Sequence, residues 1–158
     1  MKRLLCMLLV MLTLAPGAWA EQEETVTHIT PAPAEETTVG RTIFVTTNGE
    51  TRTATLSDNA SADAFWALLQ DGDIVIDMHD YGGFEKVGPL GTEIVRSDED
   101  ITTEPGDIIL YLGENVTIYY DVNRWDFTLL GHIDGATAEN MRAFLGDGDP
   151  TVTFSLGE

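Results

Sequence analysis

Residues 41–56 read RTIFVTTNGETRTATL. Two β-like runs, residues 41–47 and 51–56, flank Asn48-Gly49. Both turn residues tolerate positive φ, which makes the pair a strong signal for a tight antiparallel hairpin. Outward from this hairpin the same alternation recurs. Residues 73–79 place Ile74, Ile76 and Met78 on one face and Val75, Asp77 and His79 on the other. Residues 107–112 and 116–121 flank Gly113-Glu114-Asn115, a second hairpin. Residues 127–133 alternate, and residues 151–156 set Val152, Phe154 and Leu156 inward against three hydroxyl side chains. These runs make seven strands, with an irregular eighth expected near Ile94.

Two short helices interrupt the strands. Residues 57–61 offer several N-cap side chains, Asp63 complements the helix dipole, and Ala62, Phe65 and Leu69 share a face. The second starts at Thr137, carries Glu139 in its first turn, turns Met141, Phe144 and Leu145 inward and stops at Gly146. Many strands with two helices predict a mainly β domain: a closed antiparallel barrel with a helix at each open end. An open α+β sandwich is the alternative arrangement of the same elements.

The chain of 158 residues suits one domain, and its head reads differently from its body. Lys2 and Arg3 precede an apolar run, residues 4–14, followed by Pro16, Gly17 and the small-residue site Ala18-Trp19-Ala20. This is the three-part pattern of a secretory signal peptide. The run is about eleven residues, short of the roughly 20 needed to span a bilayer. Residues 1–20 are therefore expected to be removed, leaving no stable membrane insertion and a periplasmic or extracellular product. Residues 21–40 carry five Glu with Pro31 and Pro33 and almost nothing large and apolar, so they read as a disordered, self-repelling linker to a domain over residues 41–158.

Charge and cysteine count narrow the function. The full chain has 8 basic and 27 acidic residues, net −19. Loss of Lys2 and Arg3 leaves 6 against 27, net −21. Such a surface repels nucleic acid and anionic lipid, so neither is an expected partner. Cys6, the single cysteine, leaves with the signal peptide, which excludes disulfide and thiol chemistry from the mature protein. No phosphate-cradling Gly-rich loop, dinucleotide fingerprint or nucleophile elbow is present, and nothing local builds a triad on His79 or His132. Acidic turns at residues 71–73, 98–100 and 147–149 would suit hard cations, yet none has EF-hand spacing and each also reads as a solvated loop. No metal or other cofactor is expected.

The densest unusual stretch is residues 78–88, MHDYGGFEKVG. A strand runs out into a loop holding Met78, Asp80, Tyr81 and Phe84, with glycines that allow a sharp turn or a close backbone approach. A later loop, residues 121–125, adds Arg124 and Trp125. Convergent aromatics with a few polar groups are the usual chemistry of a ligand or peptide groove. The plainer reading makes Tyr81, Phe84 and Trp125 plugs for the barrel ends, and Glu85-Lys86 an exposed ion pair worth under about 1 kcal/mol.

Residues 53–56 (TATL) with Asp58-Asn59, then residues 80–88 (DYGGFEKVG), 101–108 (ITTEPGDI), 118–120 (IYY) and 130–133 (LGHI), occur in this order. Together they resemble the bacterial cyclophilin-like domain family, over residues 42–156. The resemblance implies an eight-stranded barrel capped by two helices. Cyclophilins proper are peptidyl-prolyl cis/trans isomerases, holding a proline in an apolar pocket beside an essential Arg. That Arg lowers a barrier of about 18–20 kcal/mol by favouring the twisted amide. Their Phe-His-Arg strand and Phe-Met-x-Gln segment are absent here, so no catalytic residue is carried over. Related domains sit beside flavodoxin-like modules, but this chain has no room for one and no flavin is expected.

The expectation is thus an exported, non-enzymatic binding module. Its barrel mouth, at Met78, Asp80, Tyr81, Phe84, Arg124 and Trp125, would take a peptide or small molecule. A divergent prolyl isomerase using Arg96 or Arg124 is the enzymatic alternative. A structural accessory of an envelope assembly is a third reading, and no oligomeric state follows from the sequence.

Overall fold

The structure, a computed structural model, describes residues 40–157. The expected signal peptide and all but the last residue of the expected linker lie outside the described residues. In chain order the elements are β1 (Thr42–Thr47), β2 (Glu50–Leu56), α1 (Ala60–Asp71), β3 (Ile74–Asp77), β4 (His79–Tyr81), β5 (Glu85–Pro89), β6 (Glu99–Thr102), β7 (Asp107–Tyr111), β8 (Asn115–Tyr119), β9 (Arg124–Ile133), α2 (Ala138–Leu145) and β10 (Thr151–Ser155). The domain is mainly β, with two helices and one ten-stranded antiparallel sheet in the order β3-β10-β1-β2-β9-β7-β8-β5-β4, β6 pairing with β9.

Local chemistry explains the hairpins and helices. Asn48 and Gly49 both take positive φ, 52° and 78°, as a two-residue turn between right-twisting strands requires. Asn59 caps α1, its side chain accepting from Ala62 N at 2.8 Å, and Ala62, Phe65 and Leu69 are buried. Thr137 and Asn140 form a reciprocal cap on α2, whose Met141, Phe144 and Leu145 are buried. The helices cover opposite ends of β1. Arg41 reaches Asp63 of α1 at 2.5 Å, while Asn48 donates to the Phe144 carbonyl of α2 at 3.0 Å. Inside, Phe65 meets Phe154 edge to face at 5.5 Å in a core drawn from both helices and most strands.

Three expectations need correction. The closed eight-stranded barrel becomes an open ten-stranded sheet, because its two ends, β3 and β4, share no ladder. The run through residues 73–79 changes partner at Met78: β3 pairs with β10, β4 with β5, and Met78 N donates to Pro150 O at 2.9 Å. β3 and β5 approach without pairing. A Cβ on Gly88 would stand 2.5 Å from Asp77 O, so only glycine lets the backbones lie this close. Second, the segment at Ile94 is not a strand; it has irregular backbone, with Ile94 N donating to Gly113 O at 2.9 Å. Third, residues expected in loops are strands: 85–89 form β5, 99–102 form β6, and β9 starts at Arg124. β5 holds a charged pair, a Gly and a Pro, and β6 one apolar residue among four. Neither offers apolar alternation to read.

Candidate functional site

Because side chains alternate across a strand, β8 serves two different environments. Val116 and Ile118, with Tyr120 just beyond the strand end, face the main core. Tyr119 faces the other way and joins Ile109 and Phe127 in a second cluster, against which Phe84, Ile101 and Leu129 pack. Phe84 stacks on Tyr119 at 6.1 Å, Tyr81 meets Phe84 edge to face at 6.1 Å, and Phe127 lies 5.7 Å from Tyr119. Such pairs add roughly 0.5–1.5 kcal/mol each beyond the area they bury.

Over this second cluster lies a pocket of about 430 Å³. β4 contributes His79 and Tyr81, and β5 contributes Glu85 and Val87. Tyr111, Asn115, Tyr119, Asn123, Trp125 and Phe127 complete the lining. Tyr81 and Trp125 stay 60% and 65% exposed, so two large rings stand in solvent at the pocket's rim.

One wall carries an uncompensated polar group. Glu85 is only 7% exposed and pairs across the ladder with Tyr119. Its Oε2 is buried without a hydrogen-bond partner, and so is Thr117 Oγ1 on the same side of β8. The Tyr119 hydroxyl accepts from Asn123 Nδ2 at 3.4 Å. Burial pushes the Glu85 carboxyl above the usual carboxylate range, and the Tyr119 and Thr117 hydroxyls do not offset it. Burial, with the Glu85 carboxylate beside it, likewise raises the Tyr119 phenol.

Across the sheet the neighbouring residues form a complete network. Lys86 is 1% exposed, and its Nζ donates to Gly148 O at 2.8 Å and to Asp80 Oδ2 at 3.3 Å. The Tyr120 hydroxyl donates to the same Asp80 oxygen. That hydrogen bond, with Lys86, holds the Asp80 carboxyl below its ordinary value. Burial, then the Asp80 contact, pushes the Tyr120 phenol up to about 12. The expected exposed Glu85-Lys86 pair is therefore corrected: both residues are buried, on opposite faces, and Lys86 pairs with Asp80.

Of the six residues expected to bind ligand, Tyr81 and Trp125 line the pocket and Phe84 packs into the cluster that carries it. Met78, Asp80 and Arg124 are not brought to it. Met78, 2% exposed, belongs to the main core. Asp80 and Arg124 each precede a pocket residue in a strand, and alternation turns them away; Arg124 instead pairs with Asp100 at 2.6 Å. The hollow itself is not a barrel mouth but lies on the outer face, since the helices flank the ends. Sequence reasoning missed Glu85, Thr117, Tyr119 and Phe127. Glu85 stands four residues after Tyr81 across a tight turn, a spacing that would have placed it on the same face. Among the described residues, no group of three or more His, Cys, Asp or Glu is placed to hold a metal ion, and no helix is long and apolar enough to cross a membrane.

This architecture has known relatives. A profile described as the cyclophilin-like family matches residues 45–155, and the chain belongs to that family. Among solved structures, the solution structure of the hypothetical protein AF2241 from Archaeoglobus fulgidus is similar, with a TM-score of 0.53 at 13% identity. The likeness covers 75% of this chain and 96% of that one, and at such identity it speaks for the fold alone. No curated protein matches the chain.

Proposed function

We propose that this cyclophilin-like protein is an exported, non-enzymatic binding module that takes a small molecule or peptide side chain in the outer-face pocket. The observation carrying this reading is the exposure of Tyr81 and Trp125 beside a hollow of about 430 Å³. Free-standing aromatic rings at the edge of a packed aromatic wall expose apolar area that binding would remove from water. The volume falls within the roughly 300–1,000 Å³ of typical ligand sites. Among the described residues no arginine lines the pocket, and Arg96 and Arg124 are held by Asp98 and Asp100, which favours binding over isomerisation. Export rests on the signal-peptide pattern of residues 1–20, with the acidic segment after it as a tether.

Titration of the purified protein with a library of fragments and short peptides, followed by NMR, tests the reading. Ligand-induced shifts are expected at Trp125 and Tyr119, and should be lost in Tyr81→Ala and Trp125→Ala. A protease-coupled assay on a proline tetrapeptide is expected to show no acceleration. Acceleration abolished by substituting Arg96 or Arg124 would favour the isomerase instead. N-terminal sequencing of protein recovered from the producing cell should begin at Glu21.

A further inference from the structure

We propose that the outer-face pocket is selective for small organic cations bearing a primary ammonium group, with Glu85 as the counter-ion. The inference rests on the reading of this pocket as a ligand site and adds the chemistry of the ligand.

A buried carboxylate without a partner is strongly unfavourable, and an apolar residue at position 85 would pack into the same sheet without that penalty. The oxygen left over, Glu85 Oε2, belongs to a residue in the pocket lining; Thr117 Oγ1, buried on β8 outside that lining, is also unmatched. The Tyr119 and Thr117 hydroxyls beside the carboxyl are neutral and do not offset its burial; what is missing is a charged donor. Among the described residues, no Lys or Arg lines the pocket to supply it. Lys86, next in sequence, faces the other way and is committed to Asp80 and Gly148. The charge must therefore arrive with the ligand.

The remaining walls suit the rest of such a molecule. Tyr81, Tyr111, Tyr119, Trp125 and Phe127 surround the acid with aromatic rings, whose faces attract a cation and whose area covers an apolar stem. A primary ammonium has three N–H donors, enough for Glu85 and the Tyr119 hydroxyl of the lining together, whereas a quaternary ammonium has none. A carboxylate or phosphate ligand would meet Glu85 as a like charge, and a neutral one would leave it unpaired. The chain's net charge of −19 draws cations toward the surface.

The titratable groups facing Glu85 are Tyr119 on β8 and Tyr81 on β4. His79 of β4 and Tyr111 of β7 lie further along the lining. His79 sits opposite Val87, not Glu85, and forms no ion pair with it. Asp80, behind Tyr81, adds negative charge that opposes ionisation of Glu85. An arriving ammonium favours the ionised carboxylate, so binding should strengthen as pH rises and should release a proton where Glu85 is still protonated.

The test is calorimetric and NMR titration with 2-phenylethylammonium, its N,N,N-trimethyl analogue and 2-phenylethanol, at pH 5 and pH 7.5. The primary ammonium should bind at least about tenfold more tightly than either other probe, as a charge-assisted hydrogen bond implies. Binding should tighten with pH and shift the Trp125 and Tyr119 resonances. Glu85→Gln, which keeps the side-chain shape, should remove that preference and its pH dependence. Trp125→Ala, on the exposed rim, should weaken the ammonium more than the alcohol. Equal binding of ammonium and alcohol, unchanged in Glu85→Gln, overturns the cation assignment and leaves the pocket reading standing. Equal binding of the trimethyl analogue overturns the primary-ammonium specificity. Silence of the pocket resonances to all three probes overturns both.

Discussion

Glu85 and Lys86 are neighbours in β5, Tyr119 and Tyr120 are neighbours at the end of β8, and Asp80 and Tyr81 are neighbours in β4. In each pair the two residues meet opposite conditions. On the core side, Asp80, Lys86 and Tyr120 satisfy one another, and the Gly148 carbonyl completes the set. On the outer side, among the described residues, Glu85 Oε2 and Thr117 Oγ1 are buried without a hydrogen-bond partner, beside the exposed rings of Tyr81 and Trp125. The strands and ladders are shared, so the difference is not one of backbone geometry. A finished polar network holds the fold together, whereas an unfinished one beside a hollow is where a ligand can complete it.

Six substitutions would break or sharpen this contrast. The largest effect is expected at Ile118→Ala, which opens a cavity in the main core and should cost about 2–5 kcal/mol in chemical denaturation. Thr117→Val, one residue away on the outer face, should be neutral or stabilising because it removes an unmatched hydroxyl; equal losses at 117 and 118 would erase the distinction between faces. Asp80→Ala should follow, at about 2 kcal/mol, by stripping the buried Lys86 of its charged partner. Next comes Glu85→Gln, read by thermal unfolding across pH. The raised carboxyl pKa means the folded state holds this proton more tightly than the unfolded chain. Stability from that proton is present below the ordinary carboxylate range and is lost as pH rises through the folded pKa. Glu85→Gln should therefore be more stable than the parent at pH 7, with the gap closing toward pH 4. Tyr81→Ala should lose about 0.5–1.5 kcal/mol with its edge-to-face contact on Phe84, and the smallest change in stability, within about 0.5 kcal/mol, is expected for Trp125→Ala, whose ring is largely in solvent. Unfolding by either would make the rings plugs and end the binding reading.

Much of the fold was legible where neighbours in sequence settle the matter. Asn48-Gly49 carries its own turn geometry, Asn59 and Thr137 cap helices within three residues of themselves, and the buried faces of α1 and α2 follow from helical spacing. β5 and β6 were not legible, because their pairing with β8 and β9 supplies what their composition lacks. Met78 misled for a related reason: its strand reads as continuous, and only the change of partner from β10 to β5 interrupts it. The candidate site was half legible. Tyr81 and Trp125 could be picked out as aromatics in unusual surroundings, but Asp80 and Arg124 came with them, since alternation has no meaning in a segment taken for a loop.

The sequence by itself determined the alternating strands, the turns and the helix caps, because each depends on residues a few positions apart, and the ordered motifs from residue 53 to residue 133 carried the resemblance to a cyclophilin-like family. Only the tertiary structure decided that the sheet stays open at β3 and β4, that the helices cover opposite ends of β1, and that the hollow sits on the outer face. It alone set Glu85 opposite Tyr119 and buried its carboxylate without a partner. Which face of β5 turns inward depends on its register against β8, a contact between distant segments that no local pattern encodes.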